Sequence, residues 1–352
     1  MSFRACTRCI CDTTAPEITF DAQGVCNFCT VWFEKEEERK REKMNLPWTY
    51  YKMRKAGLGK KYDVVLGVSG GVDSSACLHY LAQNGIRILA FHVDNGYNKR
   101  KEADENILKM VEKLKIPLER VTLDLETFKE MQAYLFKSGV KNIESITDHC
   151  LRAVCYQKAV EHGVKYIVGG GNHVGEGIMP PSWGHPPEDL TFLRDIYKKY
   201  SGKDLTKLPT LSLWQYINCR FLRGIKVINL LDYYDFNREE MKKVLASEYD
   251  WTDHGGKHSD SYFTEWYQYY WLPTRYGIDK RKAWFSSLIC AGQMTRRQAM
   301  QELLKLPEYS IFGIEDLVMK YPKSPNDYLD YKNEKRLRDI LGKIYAYYCQ
   351  SK

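Results

Sequence analysis

The sequence predicts an α/β fold, a doubly wound parallel sheet, with a cysteine-rich lobe before it and a helical C-terminal region after it. Short apolar runs of strand length recur from residue 62 onward. Segments with helical periodicity, such as NILKMVEKLK, lie between these runs. The first run leads directly into the turn SGGVDS and then into a helical pattern. This alternation is typical of βαβ units that form a parallel sheet.

Composition narrows the class of protein. The chain has 352 residues, 44% of them hydrophobic and 28% charged, enough for one large or two modest domains. No window approaches the roughly 18 apolar residues of a membrane span, and Arg4 and Cys6 interrupt the place of a signal peptide. We therefore expect a cytoplasmic protein without membrane contact. The net charge of +8 suits any anionic partner and does not choose among them.

Residues 1–45 are predicted to form a zinc ribbon and a charged connector helix. Cys6 and Cys9 form one CxxC pair, and after a spacer of sixteen residues Cys26 and Cys29 form a second. Four thiolates at this spacing complete a tetrahedral, structural Zn²⁺ site. Cys11 offers an alternative CxxCxC pattern. The odd total of eleven cysteines also argues against a complete disulfide scheme.

Residues 46–235 are predicted to form the sheet domain, with an insertion at 178–221 that begins in the proline-rich stretch MPPSWGHPPEDL. The five apolar runs predicted as strands are 64–68, 88–93, 121–125, 166–168 and 227–230. Residues 236–352 are predicted to be mainly helical, starting after an N-cap at Asn237. The aromatic run YFTEWYQYYW within this region is typical of a core or an interface.

The SGGVDS turn lies where parallel sheets bind ligands, outside the carboxyl end of a strand and at the N-terminus of a helix. Gly70 and Gly71 allow the backbone to approach a ligand closely, and Ser69 and Ser74 offer hydroxyl donors to phosphate oxygens. Asp73 suits a phosphate site only through a cation, which predicts Mg²⁺ beside a polyphosphate. The turn is neither GxxxxGK[ST] nor GxGxxG.

The SGGxDS pattern resembles the signature of the PP-loop ATP pyrophosphatases. The resemblance implies that ATP is cleaved between its α and β phosphates and that AMP is passed to an oxygen of the substrate. It places Val93 and Asp94 near adenine and ribose, and Gly170, Gly171 and Asn172 beside the nucleotide. The alternative function of Asp94 is to cap a turn or a helix.

The stretch GGKHSDSYFTEWYQYYWLPTRYGIDKRKAWFSSLICAGQMTRRQAM, residues 255–300, resembles the N-acetyl sugar amidotransferases of surface-polysaccharide pathways, of the WbpG and PseA kind. That resemblance implies conversion of an acetamido group on a sugar, typically nucleotide-linked, into an acetamidino group with ATP and ammonia. It also implies an ammonia supply from a HisH-like glutaminase and a HisF-like subunit. Either the ribbon or the aromatic C-terminal region is a candidate docking surface for them.

The same resemblance suggests roles for individual side chains. Lys257 and Arg281 would stabilise phosphate charge, and His258 would transfer a proton or donate to phosphate. Glu176 would hold ammonia or accept its proton. Each role has a structural alternative. Lys257 and Arg281 would then face solvent, His258 would lie at the start of a helix, and Glu176 would cap a turn. Trp284 departs from the family pattern, which favours histidine there, so no catalytic role is expected at that position.

A tRNA-thiolating PP-loop enzyme is the alternative function. Three features favour it: the net positive charge, the ribbon and the pair Cys150 and Cys155. Against it, the spacing CxxxxC does not place both thiols on one helical line. Buried structural thiols fit that spacing better, and we do not expect a nucleic acid partner. A non-catalytic binding module would leave Ser69, Asp73 and Ser74 without a function.

Overall fold

The structure, a computed structural model, describes residues 3–97, 100–184, 187–257, 259, 261–307 and 309–311. The strands are β1 Val64–Gly67, β2 Ile88–Asp94, β3 Leu118–Thr122, β4 Tyr166–Gly169 and β5 Lys226–Asn229. The helices up to β5 are α1 Asn27–Lys43, α2 Leu46–Ala56, α3 Val72–Gln83, α4 Lys101–Leu114, α5 Leu125–Ser138, α6 Ser145–Glu161, α7 His173–Glu176, α8 Leu190–Ser201 and α9 Leu213–Ile217. Those after β5 are α10 Arg238–Tyr249, α11 Tyr262–Trp266, α12 Leu272–Tyr276, α13 Arg281–Cys290 and α14 Arg296–Leu304.

The five strands form one parallel sheet in the order β3-β2-β1-β4-β5. The chain moves outward from β1 to β3 and then returns to place β4 on the other side of β1. The strand order therefore reverses between β1 and β4, where open α/β sheets leave a crevice for ligands. The prediction of a doubly wound parallel sheet is confirmed.

Both faces of the sheet are covered. Val64 and Leu66 face a core shared with α3, α4 and α10, whereas Val65 faces a core shared with α5 and α6. Successive strand residues point to opposite faces, so a strand buried on both sides reads as a continuous apolar run. This explains why the central strands are the easiest to find in the sequence.

The third strand lies at 118–122, not at the predicted 121–125. As an edge strand it is only half-buried, so its own apolar signal is weak. The apolar residues after Thr122 instead include Leu123, which is buried beyond the strand, and Leu125, which begins α5. Asp124 caps that helix by accepting a hydrogen bond from the Thr127 N–H at 3.0 Å.

The insertion packs on the α5 and α6 side of the sheet. Phe192, Leu193 and Ile196 on α8 are buried in the same core as α5. The imidazole of His149 on α6 bonds the Pro187 carbonyl at 2.7 Å and accepts the Leu211 N–H at 3.2 Å. In the described part of the chain, no helix has the length and apolar content needed to cross a membrane.

Candidate active site

The SGGVDS turn follows β1 and holds itself together with its own hydroxyls. The Ser69 N–H donates to Ser74 Oγ at 3.2 Å, and the Gly71 N–H donates to Ser69 Oγ at 3.3 Å. Ser74 Oγ donates back to the Gly71 carbonyl at 3.2 Å. Gly71 is the N-cap residue of α3, so the free amides and the positive end of the helix dipole meet at this turn. The arrangement suits a phosphate group.

Gly70 is required by both conformation and space. Its φ is +83°, and a Cβ built there would lie 2.0 Å from the Ala103 carbonyl oxygen of α4. Only glycine adopts this conformation at little cost, and only the absence of a side chain permits this approach.

The end of β4 lies against the same turn. A Cβ on Gly170 would lie 3.3 Å from the backbone of both Asp73 and Ser74. A Cβ on Gly171 would lie 3.6 Å from Glu176 Oε2. Asn172 caps α7 by accepting the Gly175 N–H at 2.7 Å. These residues lie together, and their contact with a nucleotide stays a prediction.

Asp73 lies on the first turn of α3, beside a cation that the sequence did not suggest. Arg238 Nη1 lies 3.3 Å from both carboxylate oxygens of Asp73, and both side chains are largely buried. Carboxylate and hydroxyl oxygens are the hard ligands that Mg²⁺ takes beside substrate phosphates, so Asp73 and Ser74 fit such an ion. Arg238 is the first residue of α10, and only the fold brings it here.

At the end of β2, His92 is buried and its Nδ1–H donates to the Val68 carbonyl at 2.6 Å. Val93 lines the cavity described below. Asp94 Oδ1 accepts the Gly96 N–H at 2.9 Å. The turn-capping contact weighed as the alternative for Asp94 is therefore present, and a ribose contact stays a prediction.

Lys257 and Glu176 form an ion pair, with Nζ 2.8 Å from Oε1. The Lys257 side chain is 7% exposed and that of Glu176 is 38% exposed. Lys257 Nζ also lies 3.4 Å from the Gly175 carbonyl and 6.0 Å from the centre of the Trp284 ring. Trp284 thus has a packing role beside the cation. The two residues predicted for the site are therefore in contact, and the charge of each largely offsets the charge of the other.

The contacts of Arg281 belong to the scaffold. Its guanidinium pairs with Asp279 at 2.7 Å and donates to the carbonyls of Glu302, Leu303 and Lys305 at the end of α14. These contacts satisfy the last carbonyls of that helix. Arg281 also lines the cavity, and its phosphate-stabilising role stays a prediction. His258 lies outside the described residues.

A cavity of about 690 Å³ opens over the carboxyl ends of β1, β2 and β4. Its floor includes Ser69 and Val93, and Lys257 and Glu176 line its wall. One face of α6 and the region from 261 to 284 supply side chains that the sequence analysis did not assign to the site: Glu144, Thr147, Asp148, Leu151, Cys155, Ser261, Phe263, Thr264, Gln268, Tyr269, Lys280 and Trp284. Of the predicted insertion, Ile178 and Met179 contribute to the lining.

The two cysteines of α6 are separated by the structure. Cys150 is fully buried in the core, whereas Cys155 lines the cavity. Loss of hydration raises the pKa of each thiol to about 12. Both are therefore protonated at neutral pH, and they do not form a pair on one face.

Cys6, Cys9, Cys26 and Cys29 form a buried cluster whose sulfur atoms all lie within 4.8 Å of one another. The Cys9–Cys26 and Cys26–Cys29 separations are 3.7 Å, and Cys6–Cys29 is 4.0 Å. Four Zn–S bonds in a tetrahedron place the sulfurs about 3.8 Å apart, so the residues fit Zn²⁺. The Cys26 N–H also points at Cys6 Sγ at 3.2 Å, which suits a thiolate.

Two further cysteines lie beside this set of four. Cys11 Sγ points at Ser286 Oγ at 3.3 Å, and Cys290 Sγ lies 3.7 Å from Cys29 Sγ. Both Ser286 and Cys290 belong to α13. The four-cysteine set is therefore the candidate zinc site, and α13 lies directly against it.

The ribbon is fixed to α13, which lines the cavity, and to the neighbouring helix α14. The Ile10 N–H donates to Ser286 Oγ at 3.2 Å, and Lys282 pairs with Asp12 at 2.6 Å. Arg296, on α14, donates to the Cys9 and Cys6 carbonyls at 3.0 and 3.1 Å. Because α13 also carries Trp284, the ribbon contacts one side of α13 and the cavity lies on another.

A doubly wound sheet with an SGGVDS turn at its switch point defines a PP-loop protein. Comparison with protein families agrees: residues 63–155 match "Queuosine biosynthesis protein QueC", and residues 260–335 match "LPS biosynthesis protein WbpG-like, C-terminal domain". The chain is therefore similar to a PP-loop family over part of its sheet region and to WbpG-like proteins over part of its C-terminal region. Comparison with curated proteins gives no match.

Two solved structures share a low overall likeness with the chain. The NH3-dependent NAD synthetase from Campylobacter jejuni is 14% identical, with a TM-score of 0.31; the match covers 48% of this chain and 72% of the synthetase. The NMN synthetase from Francisella tularensis is 13% identical, with a TM-score of 0.30; the match covers 65% of this chain and 92% of the synthetase.

Proposed function

We propose that the protein is an ATP-dependent, AMP-forming amidotransferase that converts an N-acetyl group on a sugar into an acetamidino group. Ammonia would come from a HisH-like glutaminase with a HisF-like subunit, and the pathway would be the synthesis of a surface polysaccharide such as lipopolysaccharide. The proposed sugar is nucleotide-linked.

One observation carries the proposal. The cavity joins the PP-loop turn to the region that matches the WbpG-like C-terminal domain: Ser69 lies at one side, and Gln268, Tyr269 and Lys280 lie at the other. A cavity of about 690 Å³ is within the usual range for small-molecule sites. A nucleotide at the turn and a sugar amide against the C-terminal wall would then share one enclosed space.

The chemistry explains why such an enzyme needs ATP. An amide carbon is a poor electrophile because its nitrogen donates electrons into the carbonyl, and ammonia would have to expel oxide. Attack of the amide oxygen on the α-phosphorus releases pyrophosphate and leaves an O-adenylyl imidate. Ammonia then adds to the imidate carbon, and the C–O bond breaks to release AMP.

The residues of the site suit this sequence by binding and orienting rather than by covalent catalysis. The backbone of the turn at Gly70 and the hydroxyls of Ser69 and Ser74, which bond within the turn in this structure, would hold the phosphates. Asp73 would hold Mg²⁺, which supplies charge neutralisation at the polyphosphate when it is bound. Lys257 lies near enough to share the cavity, although its pairing with Glu176 must loosen if it is to contact phosphate.

The alternative of tRNA thiolation receives little support from the cysteines of α6. A sulfur carrier needs an accessible, reactive thiolate, and the raised pKa of Cys155 and the burial of Cys150 oppose this. Cys155 alone is placed at the cavity wall.

The decisive experiment supplies purified protein with ATP, Mg²⁺ and ammonium, and separately with N-acetylated nucleotide sugars, free N-acetyl sugars or bulk tRNA. Products are identified by mass spectrometry and AMP is quantified. We expect AMP and a sugar in which the amide oxygen is replaced by nitrogen. AMP formed with tRNA alone would assign the enzyme to RNA modification. The Ser74→Ala variant is the control for a contaminating ATPase.

The source of ammonia needs its own test. Deletion of residues 1–45 would not isolate a docking surface, because Ile10 and Asp12 hold α13 in place. A cleaner test compares ammonium with glutamine plus the purified glutaminase and barrel subunits. We expect glutamine to support turnover only when both subunits are present. Equal turnover with glutamine in their absence would exclude a separate partner.

A further inference from the structure

The proposed reaction creates a proton that the site must accept. When neutral ammonia adds to the imidate carbon, its nitrogen carries a positive charge. That nitrogen must lose one proton before the C–O bond breaks, and the product amidine then departs as a cation with AMP as the leaving group. A carboxylate in the cavity can accept the proton, and a second carboxylate beside it can offset the charge of the amidinium.

Glu176, the carboxylate suggested by sequence, is poorly suited to this role. Its Oε1 lies 2.8 Å from the buried ammonium of Lys257. Protonating Glu176 would remove the charge that pairs with Lys257, whose side chain is only 7% exposed.

A second acidic group lines the same cavity from α6. Glu144, just before the helix, and Asp148 lie four residues apart, on the face that also presents Leu151 and Cys155. Glu144 accepts a hydrogen bond from the Thr264 hydroxyl. Among the described residues, none donates a hydrogen bond to the carboxylate of Asp148, whose side chain is exposed to the cavity space.

We propose that Asp148 is the catalytic base of the amidation step: its carboxylate removes the proton from the ammonia nitrogen after that nitrogen bonds to the imidate carbon. Glu144, held by Thr264, then offsets the charge of the newly formed amidinium, while Asp148 carries the proton. This inference rests on the proposed function.

The surroundings of Asp148 favour this role. Partial loss of hydration inside the cavity, with the like charge of Glu144, raises the pKa of Asp148 to about 7. Glu188 acts in the same direction, whereas Lys280 and Arg152 oppose it. A base with a pKa near the working pH is deprotonated often enough to act and basic enough to take a proton.

The test separates adenylation from amidation in the full chain. Sugar-dependent exchange of labelled pyrophosphate into ATP reports adenylation without ammonia, and amidine formation reports the complete reaction. For Asp148→Asn we expect amidine formation to fall by about 100-fold or more at pH 7, with exchange changed less than about threefold. Asp148→Glu should recover part of the loss. Glu161→Gln, on the same helix but outside the cavity lining, is the charge-matched control and should retain both activities.

The pH profile gives a readout that a structural role would not change. Rates are normalised to free ammonia, which itself rises with pH. The normalised rate of amidine formation by the wild type should then rise with pH through about 7, as Asp148 loses its proton. This rise should be absent in Asp148→Asn.

Three outcomes would overturn the inference. If Asp148→Asn makes amidine at the wild-type rate, the assignment is wrong while the proposed function stands. If it loses exchange and amidine formation together, the carboxylate serves adenylation instead. If the wild type shows no exchange with any N-acetyl sugar, the proposed function fails, and this inference fails with it.

Discussion

The substitution Gly70→Ala tests the turn most directly, because Gly59 provides a matched control. Both glycines have positive φ, +83° at Gly70 and +74° at Gly59. They differ in space: a Cβ at Gly59 has no atom within 4 Å, whereas one at Gly70 would lie 2.0 Å from the Ala103 carbonyl oxygen. Reaching an ordinary contact of 3.4 Å requires the turn or α4 to move by more than 1 Å.

The expected loss in the free energy of unfolding has two parts, the backbone conformation and the steric overlap. The left-handed conformation costs a non-glycine residue about 1–2 kcal/mol, which both variants incur. Forcing a methyl group into a packed site costs a further 1–3 kcal/mol or so, which only Gly70→Ala incurs. We therefore expect losses in the free energy of unfolding of about 1–2 kcal/mol for Gly59→Ala and about 2–5 kcal/mol for Gly70→Ala.

The assay is urea unfolding followed by circular dichroism at fixed free zinc, with ATP binding measured by calorimetry. Gly70→Ala should also weaken ATP binding, since the displaced turn no longer presents its amides, whereas Gly59→Ala should leave binding unchanged. Equal destabilisation of the two variants would refute the steric argument. Unchanged ATP affinity in a folded Gly70→Ala protein would refute the turn as the phosphate site.

Three further predictions concern the metal site, the ion pair and a buried carboxyl. Cys9→Ser should lower bound zinc, measured by mass spectrometry of the metal, from about one ion per chain; unchanged zinc content would exclude this cluster. Glu176→Gln should lower the free energy of unfolding by about 2 kcal/mol, because it leaves the more buried partner, the lysine, without its counter-charge. Lys257→Met should lower it by less. A double-mutant cycle measured by urea unfolding that finds no coupling energy would contradict the ion pair. Loss of hydration raises the pKa of Asp232 to about 6, so the folded state retains a proton that the unfolded chain releases near pH 4. Stability is then lost as pH rises from about 4 to 6, and Asp232→Asn should be more stable than wild type at pH 7 by about 1–3 kcal/mol, an advantage that should disappear at pH 4.

Local patterns made part of this molecule predictable. SGGVDS and the two CxxC pairs each carry their chemistry within a few residues, and the buried strands produce continuous apolar runs. The edge strand β3 was misplaced because it is half-buried and the apolar run continues into the start of α5.

The rest of the site depends on contacts between distant segments. Asp73 and Arg238 are 165 residues apart in sequence, and nothing near either one predicts the pair. The sequence suggests a phosphate-binding role for Arg281 because it does not show the partners of this side chain. Those partners are backbone carbonyls at 302–305, which only tertiary packing brings next to Arg281. Asp148 lies on an ordinary helix, and only the cavity distinguishes it from other acidic residues.

The contact between the ribbon and α13 has a consequence for the order in which the chain can fold during synthesis. Ile10 and Ser286 are 276 residues apart, and Arg296 and Cys6 are 290 apart. The ribbon therefore leaves the ribosome first, while its docking helices are translated only after the whole sheet. Until then the face of the zinc lobe that packs on α13 and α14 has no partner, and a nascent chain that stops before residue 281 would leave that face uncovered.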